Sequence, residues 1–335
     1  MSEIIDWDVA ARVGCALLRP GPKLSASERA AAVTRLRVAA GRAAELVAEA
    51  SRLPAAEAAT HGTTLVVDRA GVVRANAAAM STVLADLSDD DASRLKAQFQ
   101  AAGAKLTGTG AGLVMAVIGS AILGQYEPFS DRLLLSAPTI ETVRADIAAS
   151  PDDFALWVCL HEQTHRHQFA AAPWMRDYMR ELVRSAVARD DDTPEGDETP
   201  IDGLGVVGVV ADERLKAMIG KVTAMMSLLE GYADMLMDTS GAAVIPSLPS
   251  IRTQVDQRRR VKKYDLASLL RRAFGFDAKI DQYVIGKSFC LTISQKVGMD
   301  GLNVAFTCRD TLPTVDELHH PDKWLARCLP DASAA

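Results

Sequence analysis

The chain has 335 residues, 49% of them hydrophobic, which is enough to bury the core of one large domain or two ordinary ones. Its formal net charge of -6 gives no reason to expect a nucleic-acid partner, because proteins that bind nucleic acids normally carry a basic face. Aromatic residues make up only 5% of the chain, and this composition favours closely packed helices over a large sheet.

The cysteines and the N-terminal residues predict a cytoplasmic protein. Its five cysteines include no Cys-x-x-Cys pair, so we expect reduced thiols. The first residues are acidic and do not have the pattern of a secretion signal. The uncharged segment 106–126 is strongly apolar only over residues 111–123. A helix of that length spans roughly 20 Å, which is shorter than the roughly 30 Å hydrocarbon core of a bilayer. We therefore expect a buried core helix there and no membrane span.

Before residue 106 the sequence predicts four helices, which cover residues 6–18, 26–52, 77–87 and 92–102. The first two open at residues that commonly cap helices, Asp6 for the first and Ser25 or Ser27 for the second. Between the second and third helices, the β-branched and apolar residues 63–67 predict a strand. A turn followed by the short run 72–75 indicates that this strand forms a small hairpin.

The rest of the chain predicts further helices around a short strand at residues 133–137, which ends at Pro138. These helices cover residues 139–149, 153–169, 173–188, 225–238, 250–272 and 279–297. Residues 190–202 are strongly acidic and rich in Pro and Gly, which predicts a solvated surface loop. A lid or a calcium site is the alternative interpretation of that loop.

The helix over residues 153–169, DFALWVCLHEQTHRHQF, contains the spacing His-Glu-x-x-His. His161 and His165 lie one turn apart on the same face of this helix, so both imidazoles can bind one metal ion. Glu162 lies beside them, where it can accept a proton from a metal-bound water. Chance alone gives this motif in roughly one such chain in a hundred, so the motif by itself does not establish a metal site. A catalytic zinc takes three protein ligands, so a third ligand is needed.

A second helix, MMSLLEGYADMLMD at residues 225–238, carries three acids at every fourth position. Glu230, Asp234 and Asp238 therefore share one face of an otherwise oily helix. Acids stacked in this way repel one another unless a cation or hydrogen-bond donors compensate them. A solvated acidic stripe on a surface helix is the alternative.

A His-Glu-x-x-His motif followed after 64 residues by Glu230, with Asp234 one turn further on, resembles the gluzincin branch of the zinc metallopeptidases. The resemblance implies that Glu230 is the third zinc ligand and that Asp234 orients a ligating histidine. It also makes the strand at 133–137 the candidate edge strand that pairs with a substrate backbone, although a core strand explains it equally well. The chain does not have the Ser that precedes the Asp in many gluzincins, which leaves the subfamily open.

A closer resemblance extends over nearly the whole chain. It rests on IDWDVAARVGCALLRPGP near the start, LGQYEPF, HEQTHRHQF, LLEGYADMLMD, IDQYVIGKSFC and VGMDGLN. These segments are similar to an actinobacterial family of zincin-like zinc-dependent metallopeptidases, one branch of which is associated with biosynthesis of the deazaflavin coenzyme. The resemblance implies a mainly α protein with a small β-sheet and the zincin-like metallopeptidase fold. We expect one domain over 1–330, with an N-terminal helical part at about 1–105 packed on a metal-binding core at about 106–330.

The sequence thus predicts zinc-assisted hydrolysis of a peptide or amide bond, with Zn²⁺ held by His161, His165 and Glu230 and with Glu162 as the general base. Tyr283 and Tyr232 are candidate donors to the oxyanion, although a buried structural role is open for both. The alternative from another class is a catalytically silent, metal-stabilised scaffold linked to deazaflavin metabolism. Glu162 favours an enzyme, because a structural zinc site has no need of it. The substrate and the oligomeric state are left open.

Overall fold

The computed structural model describes residues 5–54, 59, 62–85, 88, 90, 93, 108–187, 213–261 and 282–330. Over these residues the protein is mainly helical with a small three-stranded sheet, so the predicted fold class is confirmed. The strands are β1 Thr63–Val67, β2 Gly124–Glu127 and β3 Arg132–Ser136. The longer helices are α1 Trp7–Ala16, α2 Ala26–Ser51, α3 Arg69–Ala85, α4 Gly108–Ala121, α5 Ala137–Asp146, α6 Pro151–Ala171, α7 Trp174–Val187, α8 Glu213–Gly241, α9 Leu248–Val261 and α10 Gln282–Asn303. Two 3₁₀ turns and the short helices α11 Val315–His319 and α12 Pro321–Cys328 follow.

The first two helices begin where their capping residues predict. Asp6 accepts a hydrogen bond from the Val9 N–H at 2.8 Å and caps α1. Ser25 and Glu28 form a complete capping box at the start of α2, in which each side chain accepts from the other residue's backbone N–H. The helix predicted over residues 92–102 lies almost entirely outside the described residues.

The predicted hairpin is wrong, because residues 72–75 belong to helix α3. Asp68 explains the difference, since its side chain accepts from the Gly71 N–H at 2.6 Å and starts a helix at the point where a turn was expected. Val72 and Val73 are then fully buried in a small core shared with α4. Strand β1 forms where it was predicted, but it pairs in parallel with β3 instead.

The sheet has the order β1-β3-β2, with β2 antiparallel to β3. The predicted strand before the metal-motif helix is therefore confirmed as β3, but its assignment as the edge strand beside the site is wrong. Its run of leucines, Leu133–Leu135, is buried and lies between two neighbouring strands, as a continuous apolar run favours. Among the described strands β1 and β2 lie at the two edges of the sheet, and β2 is the edge strand that contacts helix α6.

The helix predicted in the uncharged segment is confirmed as α4, but the prediction that it is buried in the core is only partly right. Met115 and Ile118 are buried in the small core, whereas Leu113, Val114 and Val117 are 59%, 39% and 37% exposed. Within the described ranges, no helix combines the length and the apolar character that crossing a bilayer requires.

Helix α6 lies in the main core, where it packs against α2, α8 and β2. Helix α8 is in turn crossed very closely by α10. A Cβ added to Gly231 would overlap the backbone of Gly286, and one added to Gly286 would overlap the backbone of Ser227. This crossing fixes the backbone of α8 immediately next to Glu230.

Four other predictions meet the structure in different ways. All five cysteines are free, in agreement with the expected reduced thiols. The acidic loop at 190–202 and the end of the predicted helix 250–272, beyond residue 261, lie outside the described residues. The division into an N-terminal part at 1–105 and a core at 106–330 stays a prediction.

Candidate metal centre

The helix that carries the motif starts as its sequence predicts. Pro151 occupies its first turn, where a missing backbone N–H costs nothing, and Asp152 and Asp153 place negative charge at the positive end of the helix dipole. One helical turn separates His161 from His165, and their Nε2 atoms lie 3.1 Å apart. The two imidazoles therefore converge on one point beside the helix.

Glu230 joins the pair from helix α8, as the resemblance implies. Its Oε2 lies 3.3 Å from His161 Nε2, and its Oε1 lies 3.6 Å from His165 Nε2. Each residue of the trio can offer one ligand atom within 4.8 Å of the others. Among the His, Cys, Asp and Glu side chains that the structure describes, these three form the group whose spacing suits a metal ion.

These separations match what a tetrahedral zinc ion requires. Ligands at about 2.1 Å from zinc in a tetrahedron lie about 3.4 Å from one another, and the observed separations fall on both sides of that value. Two imidazole nitrogens and one carboxylate are also a donor set that zinc accepts in catalytic sites. All three side chains are partly exposed.

Charge and burial act in opposite directions on the two histidines. Burial alone would lower the pKa of His161, but the hydrogen bond and charge of Glu230 raise it to about 9. For His165, burial outweighs the charge of Glu230 and lowers the pKa. Glu230 is therefore an anionic partner shared by both imidazoles.

Glu162 lies against the strand β2. Its side chain is buried, and a Cβ added to Gly124 would lie only 2.6 Å from its Cγ. The carboxylate accepts a hydrogen bond from the backbone N–H of Tyr126. Burial raises the pKa of Glu162 to about 7, against the opposing effect of the nearby His161. A carboxyl group with this pKa can both take up and release a proton near neutrality.

Asp234 does not make the contact that the resemblance implies. Its Oδ1 accepts from Arg252 Nη1 at 3.2 Å, because α9 folds back and places that guanidinium over α8. Among the described contacts, the other nitrogen of His165 meets Gln168 Oε1 at 2.9 Å. The corresponding nitrogen of His161 meets the Met237 sulfur at 3.2 Å. Asp234 acts on the histidines through its charge, which raises the pKa of both.

Gln168 is a residue that reasoning from the sequence missed. It lies three positions after His165, so the helical spacing alone places the two side chains on the same face of α6. That spacing was the available signal, although it does not distinguish Gln168 from other polar residues of the helix.

The two candidate oxyanion donors have different outcomes. Tyr232 is fully buried, and its hydroxyl lies 3.1 Å from the Ser51 carbonyl and 2.9 Å from Asn303 Oδ1. Its ring packs edge-on against Phe306, so the structure places Tyr232 in the core, two residues round the helix from Glu230. Tyr283 begins α10, and its side chain lies outside the described part of the chain.

Two histidines one turn apart, with a glutamate from a second helix, form a candidate mononuclear metal centre. The chain belongs to the zincin-like metallopeptidase family, whose model matches residues 5–325. In structure it is similar to a protein from Chloroflexus aurantiacus described as a "putative hydrolase with a novel fold". The two share 25% sequence identity and a TM-score of 0.73, over 96% of this chain and 98% of the other. No match was found among curated proteins.

Proposed function

We propose that this protein is a zinc-dependent hydrolase of peptide or amide bonds, with His161, His165 and Glu230 as the metal ligands and Glu162 as the general base. The observation that carries the proposal is the trio of donor atoms 3.1–3.6 Å apart next to a buried carboxyl. A zinc ion held there would lower the pKa of a bound water from about 15.7 toward about 7 and polarise the scissile carbonyl. Membership of the zincin-like family and the description of the Chloroflexus protein as a "putative hydrolase" support the same reaction class.

Glu162 carries the proton in this mechanism. Its pKa near 7 suits it to accept a proton from the attacking water and return it to the leaving amine. The Tyr126 N–H holds one carboxylate oxygen, and the space left by Gly124 admits the side chain beside the strand. These contacts orient the base without supplying a further charge.

The edge of β2 is the surface on which we propose that an extended substrate lies. The Leu123 carbonyl accepts from the Ser136 N–H at 2.8 Å, so alternate residues of this strand hydrogen bond to β3. Gly124 and Tyr126 fall at the other positions and turn their backbone groups toward the edge beside Glu162, which pairs with no further strand among the described residues. A peptide that pairs with this edge would bring its own backbone carbonyl next to the base.

Glu162 also favours an enzyme over a silent scaffold, because a structural zinc site usually fills all four positions with protein ligands and needs no base. We further propose that the enzyme works in the cytoplasm, in keeping with its five free cysteines. The link to deazaflavin coenzyme biosynthesis stays a prediction.

Metal analysis tests the proposed ligands. Purified protein should contain about one zinc per chain, and Glu230→Ala should lower zinc affinity strongly because it removes one of three protein ligands. Glu141→Ala is a matched control, since Glu141 is a buried glutamate that pairs with Arg35 and Arg144 away from the trio. Unchanged zinc affinity in Glu230→Ala would show that the third ligand is wrong.

A peptide-library digest tests the reaction. Glu162→Gln should retain zinc and lose about 10²- to 10⁴-fold in hydrolysis rate, the usual worth of general acid-base catalysis. Chelator-treated protein should be inactive, whereas Glu141→Gln should keep its activity if it stays folded. Cleavage that persists at the native rate in Glu162→Gln contradicts the mechanism, and a zinc-loaded native protein that cleaves nothing favours the scaffold.

A further inference from the structure

Gln168 is a fully buried polar side chain that contacts both ligand-bearing helices. Its Oε1 lies 2.9 Å from His165 Nδ1 on its own helix, and its Nε2 donates to the Leu229 carbonyl at 3.1 Å on α8. Leu229 immediately precedes Glu230. One amide group therefore joins an imidazole of the proposed centre to the backbone that carries the third ligand.

The second of these hydrogen bonds determines the direction of the first. The Leu229 carbonyl can only accept, so the amide group of Gln168 must point its NH₂ toward α8. The oxygen of Gln168 then faces His165 and can only accept, which requires a proton on His165 Nδ1. In a neutral imidazole this leaves the lone pair on Nε2, the atom that faces His161 and Glu230.

His161 has no comparable support among its described contacts. Its Nδ1 lies 3.2 Å from the sulfur of Met237, and a thioether is only a weak hydrogen-bond acceptor. The two imidazoles of the centre therefore differ in how firmly their rings and tautomers are fixed. An imidazole whose second nitrogen donates to a protein acceptor is a better-oriented and more basic metal ligand.

We propose that Gln168 is the positioning residue of this metal centre: it fixes His165 in the Nδ1-protonated form, with Nε2 free to bind the metal, and ties that ring to the backbone beside Glu230. This inference rests on the proposed function, because it assigns the ligand geometry of the same site. Gln168 acts through His165 and Leu229 and needs no contact with substrate.

The hydrogen bond can be tested in metal-free protein, so this arm does not depend on zinc binding. We expect the Nδ1–H proton of His165, observed by NMR on protein labelled with ¹⁵N-histidine, to exchange with water at least about 10-fold faster in Gln168→Met, the factor that loss of about 1.4 kcal/mol of hydrogen-bond energy gives. Gln163→Met is the matched control, because Gln163 is also a buried glutamine of α6 but donates to the Ala40 carbonyl. Equal exchange rates in the two variants overturn the proposal.

Zinc affinity, measured by competition with a chromogenic chelator, tests the positioning role. Gln168→Met should weaken zinc binding by about 10- to 100-fold relative to Gln163→Met, the usual effect of removing the partner of a ligating imidazole. Gln168→Glu keeps an acceptor for His165 Nδ1 and should recover at least about tenfold of that affinity. Gln168→Leu, which also removes the acceptor, replaces Gln168→Met in both tests if the latter does not fold. Matching affinities in Gln168→Met and Gln163→Met, or no recovery in Gln168→Glu, overturn the proposal. A native protein that binds no zinc refutes the proposed function instead, and the exchange comparison still decides whether Gln168 fixes His165.

Discussion

Replacing Gly124 by alanine should destabilise the protein by about 1–3 kcal/mol, because the added methyl group overpacks the contact with Glu162. A Cβ on Gly124 lies 2.6 Å from Cγ of Glu162, 2.9 Å from its Cδ and 3.0 Å from its Oε1. Carbon atoms that are not bonded normally lie about 3.5–4.0 Å apart, so the Glu162 side chain would have to move by about 1 Å. Backbone strain does not contribute to this cost, because among the described residues the glycine with a positive φ is Gly298 and not Gly124.

The collision predicts a coupling between the two positions. Glu162→Ala removes all three atoms that the new Cβ would meet, so Gly124→Ala should cost little in that background. We expect a coupling energy of about 1–2 kcal/mol, within the range for residues in contact. Urea unfolding gives the free energies of native, single-variant and double-variant proteins. Gly41→Ala is the control, since nothing lies within 4 Å of its Cβ and alanine should stabilise a helix there by about 0.5–1 kcal/mol.

If the effects of Gly124→Ala and Glu162→Ala add to within about 0.3 kcal/mol, the two residues do not touch and the reasoning fails. A second readout follows from the proposed role of Glu162. Displacing a catalytic group by about 1 Å can cost about 10²-fold in rate, so Gly124→Ala should lose activity while keeping its zinc. Loss of zinc in this variant would show that β2 supports the ligands rather than the base.

Three further predictions concern packing and redox state. Tyr232→Phe should cost about 1–3 kcal/mol in urea unfolding, because it removes the hydroxyl proton that the Ser51 carbonyl or Asn303 Oδ1 accepts, and its zinc content should not change; a loss of zinc would place Tyr232 in the site. Gly286→Ala should cost about 3 kcal/mol or more, because its Cβ overlaps the Ser227 backbone, and a cost below about 1 kcal/mol contradicts the close crossing of α8 and α10. Thiol titration under denaturing, non-reducing conditions should find all five cysteines, and a lower count would reveal a disulfide.

The parts of the fold that the sequence predicts well depend on local geometry. Helix starts at Asp6 and Ser25 follow from capping, and the pairing of His161 with His165 follows from the helical repeat. The approach of Glu230 was implied by resemblance, and no pattern within the chain fixes where α8 packs on α6.

The errors concern one local helix cap and several contacts between distant segments. The run 72–75 has the residue types of a strand, but Asp68 starts a helix and β1 finds its partner in β3, about 70 residues away. Asp234 has the spacing of a histidine partner, yet α9 brings Arg252 to it from another part of the chain. Competition between partners of this kind depends on tertiary packing, which residue spacing does not encode.

Helix α6 divides the proposed chemistry between its two sides. His161 and His165 face α8, whereas Glu162, one residue and about 100° further round the helix, faces β2. On each side one residue outside the motif positions the chemistry, and only the packing reveals it. Gln168 does so on the side of α8, and Gly124 of β2 does so on the side of Glu162. A change at Gln168 should therefore affect zinc affinity first, and a change at Gly124 should affect proton transfer at constant zinc. Metal binding and base positioning are in this way separable by mutation, even though their residues are neighbours in one short motif.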